Sequence, residues 1–316
     1  MAFLHENLRF KSILETIAEQ KQIDIKMVEK DYWIMHSLWG LQNLKFDFYL
    51  KGGTSLSKGF NAIERFSEDL DVMIIPPAGN DVKYGKNHDK EMHRQSRKEY
   101  FDWLLSQISI NGIAEVKYDD SVTPDGKYRN ADILLKYQSV SADQHVKIKK
   151  EILLEIGFDQ VDPFTLKDIS SWAYDFAKLA NLDVEDNRAV GVRCYNPEYT
   201  FVEKLSAISK KFRQYQETGA RDRNFMRHYY DIFMLLKRPD VQNFLGTEKY
   251  LEHKTKRFGA KDEFELIKNE AFIISDNATL NFFTKEHNTN ASLHYDQKFP
   301  SFDEILKGIG KFLPKM

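Results

Sequence analysis

Apolar residues near the start of the chain follow two spacings, one typical of helices and one typical of strands. Over residues 1–45 the apolar positions recur every three or four residues, which predicts two helices. The run 46–50 predicts a strand, and a helix is expected over 56–63. Residues 69–75 alternate and predict a second strand, so the early chain predicts a helix pair followed by strand, helix and strand.

The middle of the chain continues the sheet. Residues 88–110 have helical spacing, and three alternating runs follow, at 113–118, 128–137 and 146–158. Pro124-Asp125-Gly126 predicts a turn between the first two runs, which therefore predict antiparallel strands. Beyond about residue 165 the pattern is mainly helical, with Ser301 as the predicted cap of a last helix. The expected fold class is α+β.

Composition excludes several classes of protein. The chain has 316 residues, of which 42% are apolar and 30% charged, as in an ordinary globular protein. No apolar run approaches the ~20 residues of a membrane span, and the start lacks a secretory pattern, so we expect a cytoplasmic protein. The single cysteine, Cys194, excludes an internal disulfide and a cysteine-cluster metal site.

The strongest chemical signal is a glycine turn followed by paired carboxylates. Gly52-Gly53-Thr54-Ser55 lies between a predicted strand and a predicted helix, where backbone N–H groups can receive phosphates. Asp69 and Asp71 stand two residues apart on the next strand, so they share one face, and two such close charges require a cation. The spacing of a Walker-type P-loop is absent. The pattern therefore predicts a nucleotide–metal site.

A third acid is expected, because metal sites need several oxygen ligands. Glu155 lies within the apolar run 152–156, where a buried carboxylate is costly unless it is paired or bound to metal. Asp132, on the preceding predicted strand, is the alternative. We favour Glu155, and an edge-strand glutamate facing solvent is the competing interpretation.

Several motifs in order resemble one family, the AbiEii/AbiGii-type nucleotidyltransferases. These are toxins of bacterial type IV toxin–antitoxin and abortive-infection systems. The motifs that carry the resemblance are Val28-Glu29-Lys30-Asp31-Tyr32-Trp33, Lys51-Gly52-Gly53-Thr54-Ser55-Leu56, Arg65-Phe66-Ser67-Glu68-Asp69-Leu70-Asp71, Glu203-Lys204-Leu205 and Arg227-His228-Tyr229-Tyr230-Asp231. One departure is that His228 stands where the family often has an aspartate.

The resemblance implies a fold and a division of the chain. The fold would be a polymerase-β-like nucleotidyltransferase core, with a mixed sheet, flanking helices and a helical C-terminal region. Residues 1–45 would form helices that pack on the core, and 46–165 would form the core itself. Residues 166–316 would be mainly helical and complete the site.

The resemblance also implies roles for the site residues. Asp69, Asp71 and Glu155 would bind Mg²⁺ or Mn²⁺, and Lys204 would meet the triphosphate of an NTP. Asp231 lies in an apolar helix, so it should pair with a cation such as Lys204 or Arg227 or else complete the site. The expected nucleotide-binding residues are Lys51, Gly52, Gly53, Thr54, Ser55, Lys58, Ser67 and Lys204.

The acceptor implied by the resemblance is RNA, most of all the 3′ end of tRNA, and a cognate antitoxin is the implied partner. Alternatives are a protein acceptor, a small-molecule acceptor, or a catalytically silent binding module. Net charge is −2, yet residues 201–227 hold a surplus of basic residues. Such a run is most often a solvated helix face, but it is also suited to a polyanionic acceptor.

Overall fold

The chain divides into two units, one built on a sheet and one made of helices. The first unit comprises Met1–Phe60 and Phe66–Tyr195, and the second comprises Asn61–Arg65 and Asn196–Met316. The computed structural model describes residues 1–85, 87–120, 126–141, 148–158, 161–220, 222, 224–289, 294–295 and 299–316.

The elements of the first unit alternate between helices and strands. Its helices are α1 (Phe10–Lys21), α2 (Ile25–Asn43), α3 (Gly52–Thr54), α4 (Glu91–Gln107) and α5 (Trp172–Leu179). Its strands are β1 (Asp47–Lys51), β2 (Asp69–Ile75), β3 (Ile113–Tyr118), β4 (Asn130–Tyr137), β5 (Glu151–Gly157), β6 (Phe164–Ile169) and β7 (Ala189–Tyr195). The short α3 continues into a π-helical turn over Ser55–Gly59. These bounds confirm the predicted early helices, the central helix and five of the strands.

Within the described residues these strands form one mixed sheet, in the order β3-β4-β5-β2-β1-β7-β6. Strand β2 pairs parallel to β5 and antiparallel to β1, and β1 pairs parallel to β7. The outer pairs β3–β4, β4–β5 and β6–β7 are antiparallel. A mixed sheet with flanking helices confirms the predicted α+β class.

The central strands have one buried face and one half-exposed face. In β2, Leu70, Val72 and Ile74 are buried, whereas Asp69 and Asp71 between them are half-buried. This alternation follows from the two-residue period of a strand. The buried face lies against apolar residues of α2 and α4, which close over it. The opposite face is therefore the one on which polar chemistry is accessible.

The second unit is helical in its described part. Its helices are α6 (Pro197–Thr218), α7 (Phe225–Leu235), α8 (Pro239–Phe244), α9 (Glu248–Arg257), α10 (Asn277–Thr289) and α11 (Phe302–Gly310). Aromatic rings fill its core, for example Tyr229 against Phe302 at 5.2 Å between centroids. Ser301 accepts a hydrogen bond from the Glu304 N–H in a capping box, which confirms the predicted cap. Among the described helices, none is long and apolar enough to span a membrane.

The prediction of mainly helical structure after residue 165 is wrong for β6 and β7. Strand β6 lies at the edge of the sheet, and Ile169 is its only buried residue, so it lacks the alternating apolar pattern of a half-buried strand. The two strands extend the sheet to Tyr195, and the second unit begins again at Asn196 rather than after residue 165.

The helix predicted over 56–63 is shorter than expected. Its turn ends at Gly59, and Asn61 has a left-handed backbone with a φ of 47°. A left-handed residue cannot continue a right-handed helix, and asparagine tolerates that conformation better than most residues. Ile63 therefore lies outside the helix.

Pro124 and Asp125, which belong to the turn predicted between the runs 113–118 and 128–137, lie outside the described residues.

Candidate active site

The predicted acids lie in one row across the sheet. Asp71 of β2 is the register partner of Glu155 on β5, and Glu155 is the partner of Asp132 on β4. On the other side, Lys51 of β1 is the partner of Asp71. Register partners share a face, so these side chains lie side by side, with Asp69 on the same face two residues before Asp71. Both candidates for the third acid therefore belong to the row.

Several carboxyl groups lie close together in the row, and their charges affect one another's pKa values. The Asp71 carboxylate accepts a hydrogen bond from the Glu155 carboxyl, and this bond, with burial and nearby charge, raises the pKa of Glu155 to about 9. Burial, and then the charges of Asp119 and Asp71, also raises the pKa of Asp132. Without a cation, a proton on Glu155 relieves part of the repulsion among the carboxylates of the row.

Gly52 permits the close approach of the glycine turn to the row. Its φ is +69°, a left-handed conformation that favours glycine. A Cβ at this position would overlap Oδ2 of Asp71. The glycine is therefore required both by its own backbone and by the Asp71 carboxylate that lies against it.

Gly52→Ala should lower the free energy of unfolding by about 2 kcal/mol or more and abolish activity, because it combines left-handed strain with displacement of Asp71. The matched control is Gly219→Ala, since Gly219 has the same φ of +69° but, among the described residues, nothing lies within 4 Å of its Cβ position. Urea unfolding and turnover of both variants test this. Equal losses of stability would mean that contact with Asp71 is irrelevant.

The hydroxyls of the turn are engaged with main-chain carbonyls. Thr54 Oγ1 donates to the Asp69 carbonyl at 2.6 Å, and the buried Ser55 Oγ donates to the Tyr195 carbonyl at 3.4 Å. The first contact holds the turn against β2, and the second holds it against the end of β7. Their predicted contacts with phosphate stay predictions, and they would require the hydroxyls to leave these carbonyls.

Lys58 is also engaged in the first unit. Its Nζ lies 2.5 Å from Oδ1 of Asp31 and 4.3 Å from the centroid of the Trp172 ring. Asp31 is fully buried and accepts a further hydrogen bond from the Trp172 N–H at 2.8 Å. Lys58 thus neutralises a buried carboxylate, and its predicted contact with nucleotide stays a prediction.

Sequence reasoning assigned no role to the charges of α2, although it quoted them in the family motif. Glu29 accepts hydrogen bonds from the Val140 and Ser141 N–H groups, at 2.7 and 3.2 Å. Lys30 is 1% exposed, and its Nζ lies 3.8 Å from the Glu68 carboxylate. Burial lowers the pKa of Lys30, while the charges of Glu68 and Asp69 oppose that shift. The sequence feature that indicates such buried charges is the run Glu29-Lys30-Asp31 inside an otherwise apolar helix.

Asp231 forms a buried ion cluster within the second unit. Arg65 donates to both of its carboxylate oxygens at 2.7 Å, and Lys204 Nζ lies 2.6 Å from Oδ2. Burial opposes ionisation, yet Arg65 and Lys204 hold the pKa of Asp231 well below its usual value. Pairing with Lys204 is therefore confirmed. Arg65 is a partner that the sequence reasoning missed, although Arg65 stands in a quoted motif.

The basic surplus of residues 201–227 is largely neutralised where the structure describes it. Lys211 lies 2.8 Å from Asp222, and Arg213 pairs with Asp262. Lys204 is committed to Asp231, whereas Lys210 is exposed. The basic residues at 221 and 223 lie outside the described residues. The predicted contact of this segment with a polyanion stays a prediction, now with fewer available charges.

Two further findings concern metal and thiol chemistry. In the part of the chain that the structure describes, no group of three or more His, Cys, Asp or Glu side chains is gathered closely enough to hold a metal ion. The predicted ligands share a face, but their role as a metal site stays a prediction.

Cys194 is buried, and burial raises its pKa to about 12, so it is not a reactive thiol.

A carboxylate row beside a glycine turn, on the open face of a mixed sheet, is the arrangement expected of a nucleotidyltransferase. The chain matches the family described as "Nucleotidyl transferase AbiEii toxin, Type IV TA system" over residues 34–308. This chain therefore belongs to the AbiEii family of nucleotidyltransferase toxins, which confirms the resemblance. The family implies an NTP substrate, usually a divalent metal, and an antitoxin partner.

Other comparisons add little. Among curated proteins, none matches the sequence. Among solved structures, the chain is similar to the crystal structure of an antigenic nucleotidyltransferase-like protein from Paracoccidioides brasiliensis. The two share 14% identity over 72% of this chain and 87% of that chain, with a TM-score of 0.35. A TM-score this low supports no argument about the present chain.

Proposed function

We propose that this chain is a metal-dependent nucleotidyltransferase that transfers NMP from an NTP to the 3′ end of tRNA. The observation that carries the proposal is the register row Asp71, Glu155 and Asp132, with Gly52 against Asp71. Membership of the AbiEii family supports nucleotidyl transfer as the reaction.

The donor set suits a hard divalent cation. Asp69, Asp71 and Glu155, with Asp132 as the alternative third acid, present carboxylate oxygens, which Mg²⁺ and Mn²⁺ prefer. The hydrogen bond and negative charge of Asp71, which raise the pKa of Glu155, indicate a place where positive charge is needed. When bound, the cations would lower the pKa of the acceptor hydroxyl and neutralise charge on the leaving pyrophosphate.

The glycine turn would hold the phosphates through its backbone. Gly52 and Gly53 have no side chains to cover their N–H groups, and the Thr54 hydrogen bond to the Asp69 carbonyl holds the turn against the strand that carries the acids. Lys51, beside Asp71 in the row, would offset negative charge on the triphosphate. Ser67, which is half-buried, completes the proposed contacts in this unit.

The acceptor is tested by labelling. Wild-type protein is incubated with each α-labelled NTP, Mg²⁺ or Mn²⁺, and either total RNA or total protein, with the Asp71→Asn variant as the blank. Label at tRNA 3′ ends is the expected result. Label in protein, or in a small molecule, would favour the alternative acceptors. Absence of label with every NTP would favour a silent binding module.

The proposed partner is a cognate antitoxin, as the family implies. Expression of this chain alone should arrest growth, and coexpression of the neighbouring reading frame should restore it. If cells that express the Asp71→Asn variant without the neighbouring reading frame grow normally, growth arrest depends on catalysis.

Lys204→Ala should weaken the use of NTP by about tenfold or more, because it removes a charge-assisted contact with phosphate. The variant should fold, since Arg65 keeps both hydrogen bonds to Asp231. Metal-dependent stabilisation against heat should persist, because no ligand is removed. The control is Lys210→Ala, which changes an exposed lysine of the same helix. If the turnover of Lys204→Ala depends on NTP concentration in the same way as that of wild type, Lys204 has a purely structural role.

A further inference from the structure

The open face of the sheet carries an exposed aromatic patch beside the acid row. Tyr49 of β1 lies two residues before Lys51, so the two side chains share the face on which Lys51 is the register partner of Asp71. At ~3.3 Å per residue, this step along the strand is about 7 Å. The side chains that form the patch, which we term the aromatic platform, are Tyr49, Phe164, Leu166 and Arg193.

Contacts between side chains place the other three members on the same face as Tyr49. The rings of Phe164 and Tyr49 lie 5.1 Å apart between centroids, at an interplanar angle of 76°. Cζ of Arg193 lies over the Tyr49 ring, 4.1 Å from its centroid. Leu166 is the register partner of Arg193, and register partners share a face. The platform therefore spans the neighbouring strands β1, β7 and β6.

Much of the platform is open to solvent. Phe164 is 38% exposed and Leu166 is 60% exposed. Both lie on β6, the edge strand of the described sheet, where natural proteins usually place charged residues or a cover. Contiguous apolar side chains left exposed on a folded surface indicate a binding site. The platform is therefore a candidate site on the face that carries the acids.

Arg193 is held in position before any ligand arrives. Its guanidinium pairs with Asp47, which lies on the same face of β1, two residues before Tyr49. Because this charge is already paired, Arg193 is better suited to stacking than to holding a phosphate. A planar guanidinium stacks on aromatic rings and on nucleobases. The Tyr49 ring covers one side of it, and the Arg193 side chain remains 26% exposed.

The platform and the glycine turn lie on opposite sides of the acid row along β1. The strand ends at Lys51 and the turn Gly52-Gly53 follows, whereas Tyr49 comes before Lys51. A nucleoside triphosphate placed along β1 would have its β- and γ-phosphates at the turn and its α-phosphate at Asp71. Its base would then extend in the direction of Tyr49, over the platform.

The order of the strands also favours the nucleotide over the acceptor as the ligand. Glu155 and Asp132 lie on β5 and β4, on one side of Asp71. The platform lies on β1, β7 and β6, on the other side. The glycine turn follows β1 directly, so the platform is on the side of the sheet where the phosphates of the nucleotide would be held.

We propose that the aromatic platform binds the base of the NTP, with the base stacked on the Arg193 guanidinium and packed against Phe164 and Leu166. The proposal rests on the proposed function for NTP as the ligand. Stacking tolerates every base, because each has a π-face. The platform would thus fix the position of the nucleoside while the acids and the turn engage its phosphates.

The test measures, by calorimetry, the binding of each NTP and of inorganic tripolyphosphate, with Mg²⁺ and without an acceptor. Arg193→Lys and Phe164→Ala should each weaken NTP binding by about tenfold, the usual effect of losing a stacking contact. Neither changes the net charge, and tripolyphosphate has no base, so its binding should be unchanged. The control is Phe264→Ala, which removes an equally exposed phenylalanine (38%) from the second unit and should change neither affinity.

The outcomes separate the platform from the proposed reaction. Wild-type affinity for NTP in both variants would overturn the platform, as would an equal loss of affinity for NTP and tripolyphosphate. Unchanged NTP binding with weaker use of an RNA acceptor would assign the surface to the acceptor and contradict the proposal. If wild type labels no acceptor, yet the variants lose affinity for NTP alone, the reaction is wrong and the platform stands. If wild type binds NTP no more tightly than tripolyphosphate, the platform is wrong even if transfer occurs.

Discussion

Asp71→Asn should reduce nucleotide transfer by about a thousandfold or more, which corresponds to ~4 kcal/mol of transition-state stabilisation. The side chain lies at the centre of the acid row, in register with Glu155 and Lys51. Its charge is needed wherever a cation must be held against the triphosphate. Turnover with saturating NTP and Mg²⁺ is the measurement.

The same variant should be as stable as wild type to heat, or more stable, in the absence of metal. The Asp71 carboxylate raises the pKa of Glu155 through a hydrogen bond and its charge, and Asp69 and Asp132 add negative charge nearby, so replacing Asp71 by an amide relieves repulsion in the row. The amide keeps the size of the side chain and leaves Gly52 uncrowded. Loss of activity with retained stability separates a ligand from a structural residue.

The control is Asp120→Asn, the same chemical change at an exposed position 3.5 Å from Lys117. It should alter neither turnover nor stability, because exposed ion pairs contribute little. Wild-type turnover by Asp71→Asn would contradict the metal assignment. Loss of stability in that variant would instead indicate that Asp71 holds the glycine turn.

Local periodicity accounts for the part of the site that sequence predicted. Asp69, Asp71 and Glu155 each interrupt an apolar alternation, and a two-residue period determines which face they share. The register between β2, β5 and β4 is set by pairing between distant segments. For that reason the sequence left Glu155 and Asp132 as alternatives, whereas the structure places both in one row.

Burial accounts for much of what sequence did not predict. Hydroxyls after a glycine turn suggest phosphate contacts, but those of Thr54 and Ser55 face main-chain carbonyls. Likewise, a lysine after the turn suggests a nucleotide contact, but Lys58 lies against a buried Asp31. Side-chain type does not reveal which polar groups the interior must satisfy, because their partners come from distant elements.

Charge counting along the sequence has the same limit. Residues 201–227 contain more basic than acidic residues. Part of that excess positive charge is neutralised by Asp231 and Asp262, which lie outside this range. The ion pairs of Asp89 could not be predicted from the sequence for the same reason. Its cationic partners come from 94–97 and 127–129, two segments that only the fold brings together.

Asp231→Ala should lower the free energy of unfolding by about 3–5 kcal/mol, the range for removing one partner of a buried ion pair. Asp231 is completely buried, and it accepts hydrogen bonds from Arg65 while pairing with Lys204. Its loss would leave two buried cations without their shared anion. Denaturant unfolding at neutral pH is the measurement.

The pH dependence follows from the direction of the pKa shift. The pKa of Asp231 is lower in the folded protein than in the unfolded chain, so the folded protein favours the charged form. The resulting stability is present above the unfolded pKa of about 4 and is lost as pH falls through the folded pKa. The difference between wild type and Asp231→Ala should therefore be constant near neutrality and shrink below about pH 4.

An exposed ion pair of the same length provides the control. Asp303 lies 2.6 Å from Lys307, as Lys204 does from Asp231, but its side chain is 67% exposed instead of fully buried. Asp303→Ala should cost less than about 1 kcal/mol, because water replaces the lost partner. Equal costs for the two variants would show that burial does not control the strength of the Asp231 cluster. A large cost at Asp231 alone would show that burial gives this cluster its strength, whatever further part Lys204 plays with the nucleotide.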